Sequence, residues 1–297
     1  MKVLITGGSG LLGSSLLSVM PPEYDPILTY KKHKPKIKVT SLNVDFIDTE
    51  RIKRVIKYVK PKLIIHTAAI TDIEWCELYQ KKAYLINVTA TRSICEAAKI
   101  IDAKVVYIST DYVFDGTKGM RKEKDITNPL NFYAKTKLLG ENFFLKNSLD
   151  SLIIRTSFYG IPPYPGKNDY FSHIISGLTE KAPIYSAVDQ YFNPIFSNQL
   201  SSCVFKLCAS NKNGIFHIAC LDKVNRYEFA LFVADMLNLD KSLIKKVSVK
   251  ELRRKLNWRA KRPLDTSLCV KKASETIKLP SVESSLRECV NLYIRRQ

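Results

Sequence analysis

The chain has 297 residues, of which 45% are hydrophobic and 25% are charged, and these are the proportions of an ordinary globular protein. No apolar run approaches the roughly 20 residues that cross a bilayer, which excludes a protein built of membrane-spanning helices. The N-terminal residues enter a strand-like run, KVLIT, without an export signal. We therefore expect a cytoplasmic protein with no membrane partner.

The net charge of +19 is high, because 47 lysines and arginines outnumber 28 acidic residues. Three explanations are open: a nucleic-acid-binding surface, a lysine-rich solvated surface, or a site for an anionic nucleotide. Aromatic residues are not interleaved with the basic runs as they are in RNA-stacking platforms. We therefore expect no nucleic-acid partner and favour the other two explanations.

The seven cysteines form no CxxC pair and show no other zinc spacing. An odd number of cysteines in a reducing compartment is typical of small buried hydrophobic side chains. We therefore expect neither disulfides nor a metal site.

The first half of the chain alternates short β-branched runs with helical patterns, which predicts a parallel sheet covered by helices. The pattern indicates a doubly wound α/β domain of the Rossmann type at 1–160, which would bind the cofactor. The predicted strands are 2–6, 26–30, 38–43, 62–68, 104–110 and 151–157, and the predicted helices are 10–20, 48–60, 79–100 and a helix that starts after Pro129.

The pattern loosens in the second half of the chain. The segment GIPPYPGKNDYF (160–171) is too long and too rich in proline and glycine for a mere connection, so we expect it to border a binding site. A strand is predicted at 214–219, and helices are predicted at 227–237 and 282–296. We therefore expect a smaller mixed lobe at 161–297 that binds the substrate, with some of its segments returning to the Rossmann sheet.

A glycine-rich loop, TGGSGLLG (6–13), lies between the first predicted strand and the first predicted helix. The spacing of Gly7, Gly10 and Gly13 allows a tight turn, a close approach of the backbone to a pyrophosphate, and close packing of the helix on the strand. The helix N-terminus adds N–H donors and positive potential. With a strand before it and a helix after it, the loop predicts a dinucleotide-binding site.

The end of the second predicted strand indicates which dinucleotide binds. An acidic residue there would hydrogen-bond the ribose 2′-hydroxyl, whereas basic residues would accept a 2′-phosphate. This chain has Lys31 and Lys32 and no acid at that point, which favours NADPH, with NADH as the alternative. Asp45 is placed to meet the adenine edge. The residues expected to contact the cofactor are Gly7, Ser9, Gly10, Leu11, Leu12, Gly13, Lys31, Lys32, Asp45, Phe46, Thr67, Ala68, Ala69, Tyr133 and Lys137.

The run NFYAKTKL (131–138) places Tyr133 and Lys137 one helical turn apart on the same face. A tyrosine with an ordinary pKa near 10 is a poor acid at neutral pH. A nearby ammonium would stabilise the phenolate and lower that pKa, which would make the pair a proton donor with its modulator. The spacing alone leaves open a surface pair of no consequence.

Further blocks surround this pair: STDYVFDG, EKDITNPLNFYAKTKLLGE, LIIRTSFYG, VDQYFNP and RPLDTSL. Together with the glycine loop they resemble the extended short-chain dehydrogenase/reductases, and more closely the dTDP-4-dehydrorhamnose reductase family, over nearly the whole chain. The resemblance implies that Tyr133 is the catalytic acid and Lys137 its modulator. It also implies that Thr110 hydrogen-bonds the substrate carbonyl and helps to polarise it.

The resemblance further implies where the substrate is held. The family usually has tryptophan where this chain has Phe158, a change that keeps a flat apolar wall and loses an N–H donor. Some relatives bind magnesium through glutamates at a dimer contact. The first helix here has Ser14 and Ser15 and no glutamate, so we expect no magnesium site in this chain. The residues implied to contact the substrate are Tyr112, Phe158, Arg226 and Arg262.

The expected activity is the NADPH-dependent reduction of the 4-keto group of a nucleotide-linked 6-deoxy sugar, with the conversion of dTDP-4-dehydrorhamnose to dTDP-L-rhamnose as the leading case. Related dehydratases carry Thr-Asp-Glu where this chain has Thr110, Asp111 and Tyr112, so the carboxylate pair that eliminates water is incomplete. The alternatives are an NADP-binding regulatory subunit of the methionine adenosyltransferase type, and another nucleotide-sugar epimerase or dehydratase. The expected partner is a nucleotide sugar, and a homodimer stays open as the assembly.

Overall fold

A computed structural model of the chain describes residues 1–35, 38–147, 150–164 and 169–297. Two of the sequence predictions extend beyond these ranges. The lysine-rich run after the second strand includes 36–37, and the proline-rich loop expected to border a binding site includes 165–168; these positions lie outside the described residues.

Strands and helices alternate along the chain, as the sequence predicted. The strands are β1 (Lys2–Thr6), β2 (Asp25–Tyr30), β3 (Thr40–Asn43), β4 (Leu63–His66), β5 (Lys104–Ile108), β6 (Ser151–Arg155), β7 (Phe158–Tyr159), β8 (Ile184–Ala187), β9 (Tyr191–Phe192), β10 (Ile195–Phe196), β11 (Gly214–His217), β12 (Val224–Asn225) and β13 (Ile244–Val247). The α-helices are α1 (Leu11–Ser18), α2 (Thr49–Val59), α3 (Ile73–Leu78), α4 (Gln80–Tyr84), α5 (Ala90–Ile100), α6 (Phe132–Lys146), α7 (Tyr170–Thr179), α8 (Ser197–Ala209), α9 (Arg226–Met236), α10 (Val249–Lys255), α11 (Lys271–Ser274) and α12 (Val282–Ile294).

Seven strands form one parallel sheet in the order β3-β2-β1-β4-β5-β6-β11. Side chains alternate along β1, so Val3 and Ile5 pack on the side of α1 and α8, whereas Leu4 packs on the side of α2, α5 and α6. The strand order reverses its direction between β1 and β4, and helices cover both faces. The predicted doubly wound α/β fold of the Rossmann type is confirmed.

The second half of the chain adds three short strand pairs and one strand of the main sheet. The pairs are β7 with β10, β8 with β13 and β9 with β12, and β11 lies beside β6 at the edge of the main sheet. The core on the α1 side combines Val3 and Leu16 with Phe171, Phe229 and Leu286 from the second half. The division into two domains at residue 160 stays a prediction, because the two halves share this core.

The helix predicted at 79–100 differs locally from the prediction. It consists of α4, a π-helical turn at Leu85–Thr89, and α5. The widened turn carries Asn87, which is buried and whose side-chain amide donates to the Ile70 carbonyl and the Thr136 hydroxyl, both at 3.0 Å. A π-helical turn of this kind is common where a helix must place one side chain at a site.

The parallel arrangement brings the carboxyl ends of the strands to one edge of the sheet. Several segments that the sequence singled out start at this edge. The glycine loop follows β1, Lys31 follows β2, Thr67 follows β4 and Thr110 follows β5. Among the helices of the described ranges, none has the length and apolar character needed to cross a membrane.

Candidate active site

The glycine loop forms a tight turn between β1 and α1. Gly7 has a φ of +68°, and the Gly10 N–H donates to the Gly7 carbonyl at 2.8 Å. A Cβ at Gly13 would lie 2.4 Å from the Gly7 carbonyl oxygen, and a Cβ at Gly7 would lie 2.9 Å from the Ala68 Cα. Both positions therefore need glycine. Gly10 caps α1 without a side chain, so the first N–H groups of the helix can donate to a pyrophosphate.

The segment after β4 is held against the glycine loop by one threonine. The N–H groups of Thr67 and Ala68 both donate to Thr6 Oγ1 at 3.2 Å, and Thr6 Oγ1 lies 2.7 Å from His66 Nδ1. Phe46 stacks on His66 with 6.1 Å between the ring centres. Cofactor residues predicted after β1, β3 and β4 thus lie together at the carboxyl edge. Of the remaining members of that set, Leu12 is buried, and Ser9, Leu11 and Ala69 are half-buried.

The lysines after β2 differ in their surroundings. Lys31 Nζ lies 2.9 Å from Asp45 Oδ2, in a half-exposed ion pair. Lys32 is exposed and has no carboxylate partner in the described part of the chain. His33 stacks on Tyr164 with 4.8 Å between the ring centres, which brings the proline-rich loop beside this segment. Lys32 is therefore the better placed of the two lysines to bind a 2′-phosphate.

Tyr133 and Lys137 lie in the first half of α6. Asn131 caps the helix, because its Oδ1 accepts a hydrogen bond from the Ala134 N–H at 3.0 Å. Lys137 is buried on the inner side of the helix, and Tyr133 is half-buried. Thr110 follows β5 and is also buried. The structure thus places a tyrosine and a lysine one turn apart, near a strand-end threonine.

Burial shifts the pKa values of both Tyr133 and Lys137. Burial raises the pKa of Tyr133, and the neighbouring Thr110 hydroxyl partly offsets that shift. Burial also lowers the pKa of Lys137 to about 7, against the opposing effect of the Glu141 carboxylate. Lys137 is not among the groups that shift the pKa of Tyr133 here, so its expected role as the modulator of Tyr133 stays a prediction. Tyr133 therefore keeps its proton at neutral pH, as a proton donor must.

Lys137 is a buried cation that lacks an ion pair of its own within the described ranges. Its Nζ lies 4.1 Å from the centre of the Tyr107 ring, at a distance that suits a cation–π contact. The Glu141 carboxylate is fully buried and is already bound by Arg155, with 2.7 Å between Arg155 Nη2 and Glu141 Oε2. Lys137 therefore carries a large cost of lost hydration that Glu141 offsets only in part.

Asp111 is a buried carboxyl group between two expected site residues. Burial raises its pKa to about 6, and the nearby Thr266 and Thr110 hydroxyls oppose the shift. Thr110 Oγ1 donates to Asp111 Oδ1 at 3.0 Å, whereas Oδ2 has no partner in the described part of the chain. In the sequence, Asp111 was identified only as half of an incomplete carboxylate pair. Its position between Thr110 and Tyr112 was the signal that could have identified it.

Two of the expected substrate contacts are aromatic. Tyr112 is 8% exposed, and its hydroxyl accepts a hydrogen bond from Gln190 Nε2 at 3.3 Å. Phe158 is half-buried in β7, next to the core on the α1 side. Gln190 was not among the predicted site residues, although it lies in the block VDQYFNP.

The two expected arginines have different surroundings. The Arg226 guanidinium lies 3.8 Å from the centre of the Phe192 ring, and its charge opposes the rise in the pKa of Asp111, so Arg226 lies near that carboxyl group. Arg262 Nη2 lies 2.9 Å from Glu74 Oε1. Arg262 Nη1 is buried and has no partner within the described ranges. Arg262 Nη1 is therefore available to donate a hydrogen bond to an anionic ligand.

A cavity of about 510 Å³ lies beside α1 and is not lined by Thr110, Tyr133 or Lys137. Its wall includes Ser9 and Ser14 near the glycine loop, Tyr164 of the proline-rich loop, and Arg296 near the C-terminus. The described residues contain no group of three or more His, Cys, Asp or Glu side chains that could hold a metal ion.

Comparison with known proteins identifies relatives over most of the chain. The sequence model of the RmlD substrate binding domain matches residues 1–295. The chain is 31% identical to dTDP-4-dehydrorhamnose reductase from Aggregatibacter actinomycetemcomitans over 242 residues, which cover 79% of this chain and 78% of that protein. It is 29% identical to methionine adenosyltransferase 2 subunit beta from Bos taurus over 260 residues, which cover 83% of this chain and 75% of that protein.

A solved structure gives the same result. The crystal structure of dTDP-4-dehydrorhamnose reductase from Bacillus anthracis in complex with NADP is similar to this chain with a TM-score of 0.85 at 27% identity, and the similarity covers 98% of both chains. The matching family model spans almost all residues, and the glycine loop and the Tyr133–Lys137 pair lie at one edge of the sheet. The chain therefore belongs to the dTDP-4-dehydrorhamnose reductase family of NADP-dependent oxidoreductases.

Proposed function

We propose that the protein reduces the 4-keto group of a nucleotide-linked 6-deoxy sugar with NADPH, and that its substrate is dTDP-4-dehydrorhamnose. The observation that carries the proposal is the position of Tyr133, with Lys137 one turn further along α6 and Thr110 beside it. The similarity to a reductase with this name over most of both chains supports the choice of substrate.

The reaction adds a hydride to the keto carbon and a proton to the keto oxygen. NADPH, when bound, supplies the hydride. Tyr133 donates its Oη proton to the oxygen as negative charge develops there. The Thr110 hydroxyl, which donates to Asp111 Oδ1 in this structure, would turn to donate to the same oxygen, and the Lys137 ammonium stabilises the phenolate until water reprotonates it.

The residues at the carboxyl edge fit the cofactor that the family uses. A Cβ at Gly7 or at Gly13 would fill the space into which the loop folds, and the N-terminal N–H groups of α1 can bind the pyrophosphate. Lys32, without a carboxylate partner in the described part of the chain, is the residue that we assign to the 2′-phosphate.

The exchange Lys32→Glu tests this assignment. We expect the Kd for NADPH to rise roughly tenfold, about the effect of losing one charge-assisted contact, while the Kd for NADH changes less than about twofold. Fluorescence titration of both cofactors at fixed salt measures the effect. Lys57→Glu, the same charge change on the exposed side of α2, is the matched control and should leave both constants unchanged. Tighter binding of NADH than of NADPH by the wild-type protein would contradict the assignment.

The regulatory subunit is the alternative that a specific observation favours, because the chain is 29% identical to methionine adenosyltransferase 2 subunit beta. A regulatory subunit does not need the pair of Tyr133 and a buried lysine one turn away. Burial of the Lys137 ammonium is also costly, because the charge loses its hydration. A dehydratase is disfavoured, since Tyr112 stands where the second carboxylate would be needed.

Turnover with a defined substrate separates these alternatives. We expect purified protein to oxidise NADPH when dTDP-4-dehydrorhamnose is added, with a kcat in the usual range of about 1–10³ s⁻¹. The measurement is the loss of NADPH absorbance together with chromatography of the sugar nucleotide. Protein that binds NADPH but oxidises none with any keto-sugar nucleotide would favour the regulatory subunit.

We also propose that the enzyme works in the cytoplasm, because all seven cysteines are free thiols, as is usual in a reducing compartment. Assembly as a homodimer stays a prediction. The division into a cofactor-binding domain and a substrate-binding lobe also stays a proposal, and the positions of Arg226 and Arg262 in the second half support it.

A further inference from the structure

The hydroxyl of Tyr112 is hydrogen-bonded by the side-chain amide of a buried glutamine. Gln190 lies between β8 and β9 and is 6% exposed. Its Nε2 donates to Tyr112 Oη at 3.3 Å and to the Pro263 carbonyl at 3.1 Å. One amide thus connects Tyr112 with the segment that carries Arg262.

The orientation of the amide follows from its partners. The Pro263 carbonyl can only accept a hydrogen bond, so the group of Gln190 that faces it must be the NH₂. The second hydrogen of that NH₂ points to Tyr112, whose oxygen must therefore accept. The hydroxyl proton of Tyr112 therefore points away from Gln190, and no hydrogen-bond acceptor for it lies within the described ranges.

Tyr112 lies at the catalytic group. Its backbone N–H donates to Thr110 Oγ1 at 3.2 Å, and its phenol is among the neighbours that affect the pKa of Tyr133. A phenol that is committed to donate at this place suits a ligand oxygen that carries no hydrogen. The ketone, the ring oxygen and the phosphate oxygens of a keto-sugar nucleotide are of this kind.

We propose that Gln190 is a positioning residue, which commits the Tyr112 hydroxyl to donate a hydrogen bond to an acceptor oxygen of the sugar nucleotide. This inference rests on the proposed function. It assigns substrate binding, rather than cofactor binding or the proton transfer itself, to the contact between Gln190 and Tyr112.

Four variants test the inference: Gln190→Glu, Gln190→Met, Tyr112→Phe and the double variant Tyr112→Phe/Gln190→Glu. A carboxylate at position 190 cannot donate, so it would accept the Tyr112 proton and turn it away from the substrate. We expect the KM for the sugar nucleotide to rise about tenfold in Gln190→Glu and by less in Gln190→Met. The Kd for NADPH should not change, and kcat should stay within about threefold of the wild-type value.

The double variant separates positioning from a general structural role. In the Tyr112→Phe background there is no phenol proton that a carboxylate at position 190 could accept. Gln190→Glu should therefore raise KM by less than about twofold in that background. Full additivity of the two effects would overturn the inference. A KM within about twofold of the wild-type value in both single Gln190 variants would also overturn it.

Stability and activity controls keep these outcomes separate. Thermal unfolding of each variant shows whether it folds, and Gln190→Met remains informative if Gln190→Glu does not. Wild-type protein that binds NADPH but reduces no keto-sugar nucleotide contradicts the proposed function, and the inference is then overturned with it. Active wild-type protein with additive variants contradicts the inference alone.

Discussion

Replacement of Tyr133 by phenylalanine is expected to lower the rate of keto-sugar reduction by at least about 100-fold, the usual contribution of a general acid. The exchange removes the hydroxyl that donates the proton, and it leaves the aromatic ring in place. The Kd for NADPH should stay within about twofold of the wild-type value, because the glycine loop and Lys32 are untouched. The measurement is kcat at saturating NADPH and sugar nucleotide.

Tyr58→Phe is the matched control for this variant. The Tyr58 side chain is 86% exposed, so the loss of its hydroxyl should change neither rate nor cofactor affinity. A Tyr133→Phe protein with a turnover close to that of the wild type would remove Tyr133 from the mechanism. Loss of NADPH binding together with turnover would instead indicate a structural defect.

Replacement of Lys137 by methionine is expected to stabilise the protein near neutral pH while it abolishes most of the turnover. The pKa of Lys137 is about 7 in the folded protein, below its ordinary value of 10.5, because burial disfavours the charged form. Between these two values the unfolded chain binds more protons than the folded protein, so the free energy of unfolding rises with pH. Methionine fills a similar volume and carries no charge that must lose its water.

The sign and the pH window of this effect are specific. Below about pH 7 the variant should exceed the wild type by on the order of 4 kcal/mol in free energy of unfolding, and the difference should vanish as the pH approaches 10.5. Urea unfolding of both proteins at pH 6, 8 and 10 would measure it. Lys135→Met, on the exposed side of α6, is the control and should show no such trend. A variant less stable than the wild type below pH 7 would contradict the assignment of Lys137 as an unpaired buried cation.

The centre of the main sheet could be predicted because β1, β4, β5 and β6 are buried on both faces and read as largely continuous apolar runs. The glycine loop and Thr110 were found with it, since each directly follows such a run. β7, β9, β10 and β12 have two residues each, and so short a segment shows no periodicity. These strands organise the second half, which is why its architecture could not be read from the sequence.

Contacts between segments that lie far apart in the chain could not be predicted from the sequence pattern either. Gln190 meets Tyr112 across 78 positions of the chain, and nothing in the block VDQYFNP indicates which side chain it will contact. The burial of Tyr133, which raises its pKa, was not predicted for a related reason. The spacing to Lys137 is a local property of the helix, whereas burial depends on every element packed around it.

The central claim is that the chain uses NADPH to reduce the 4-keto carbon of a dTDP-sugar, and isotope transfer tests it most directly. The protein is incubated with dTDP-4-dehydrorhamnose and NADPH that carries deuterium at both positions of the nicotinamide C4, and the sugar product is analysed by NMR. We predict dTDP-rhamnose with one deuterium at the sugar C4. Absence of product, or a product without deuterium at that carbon, would contradict the claim.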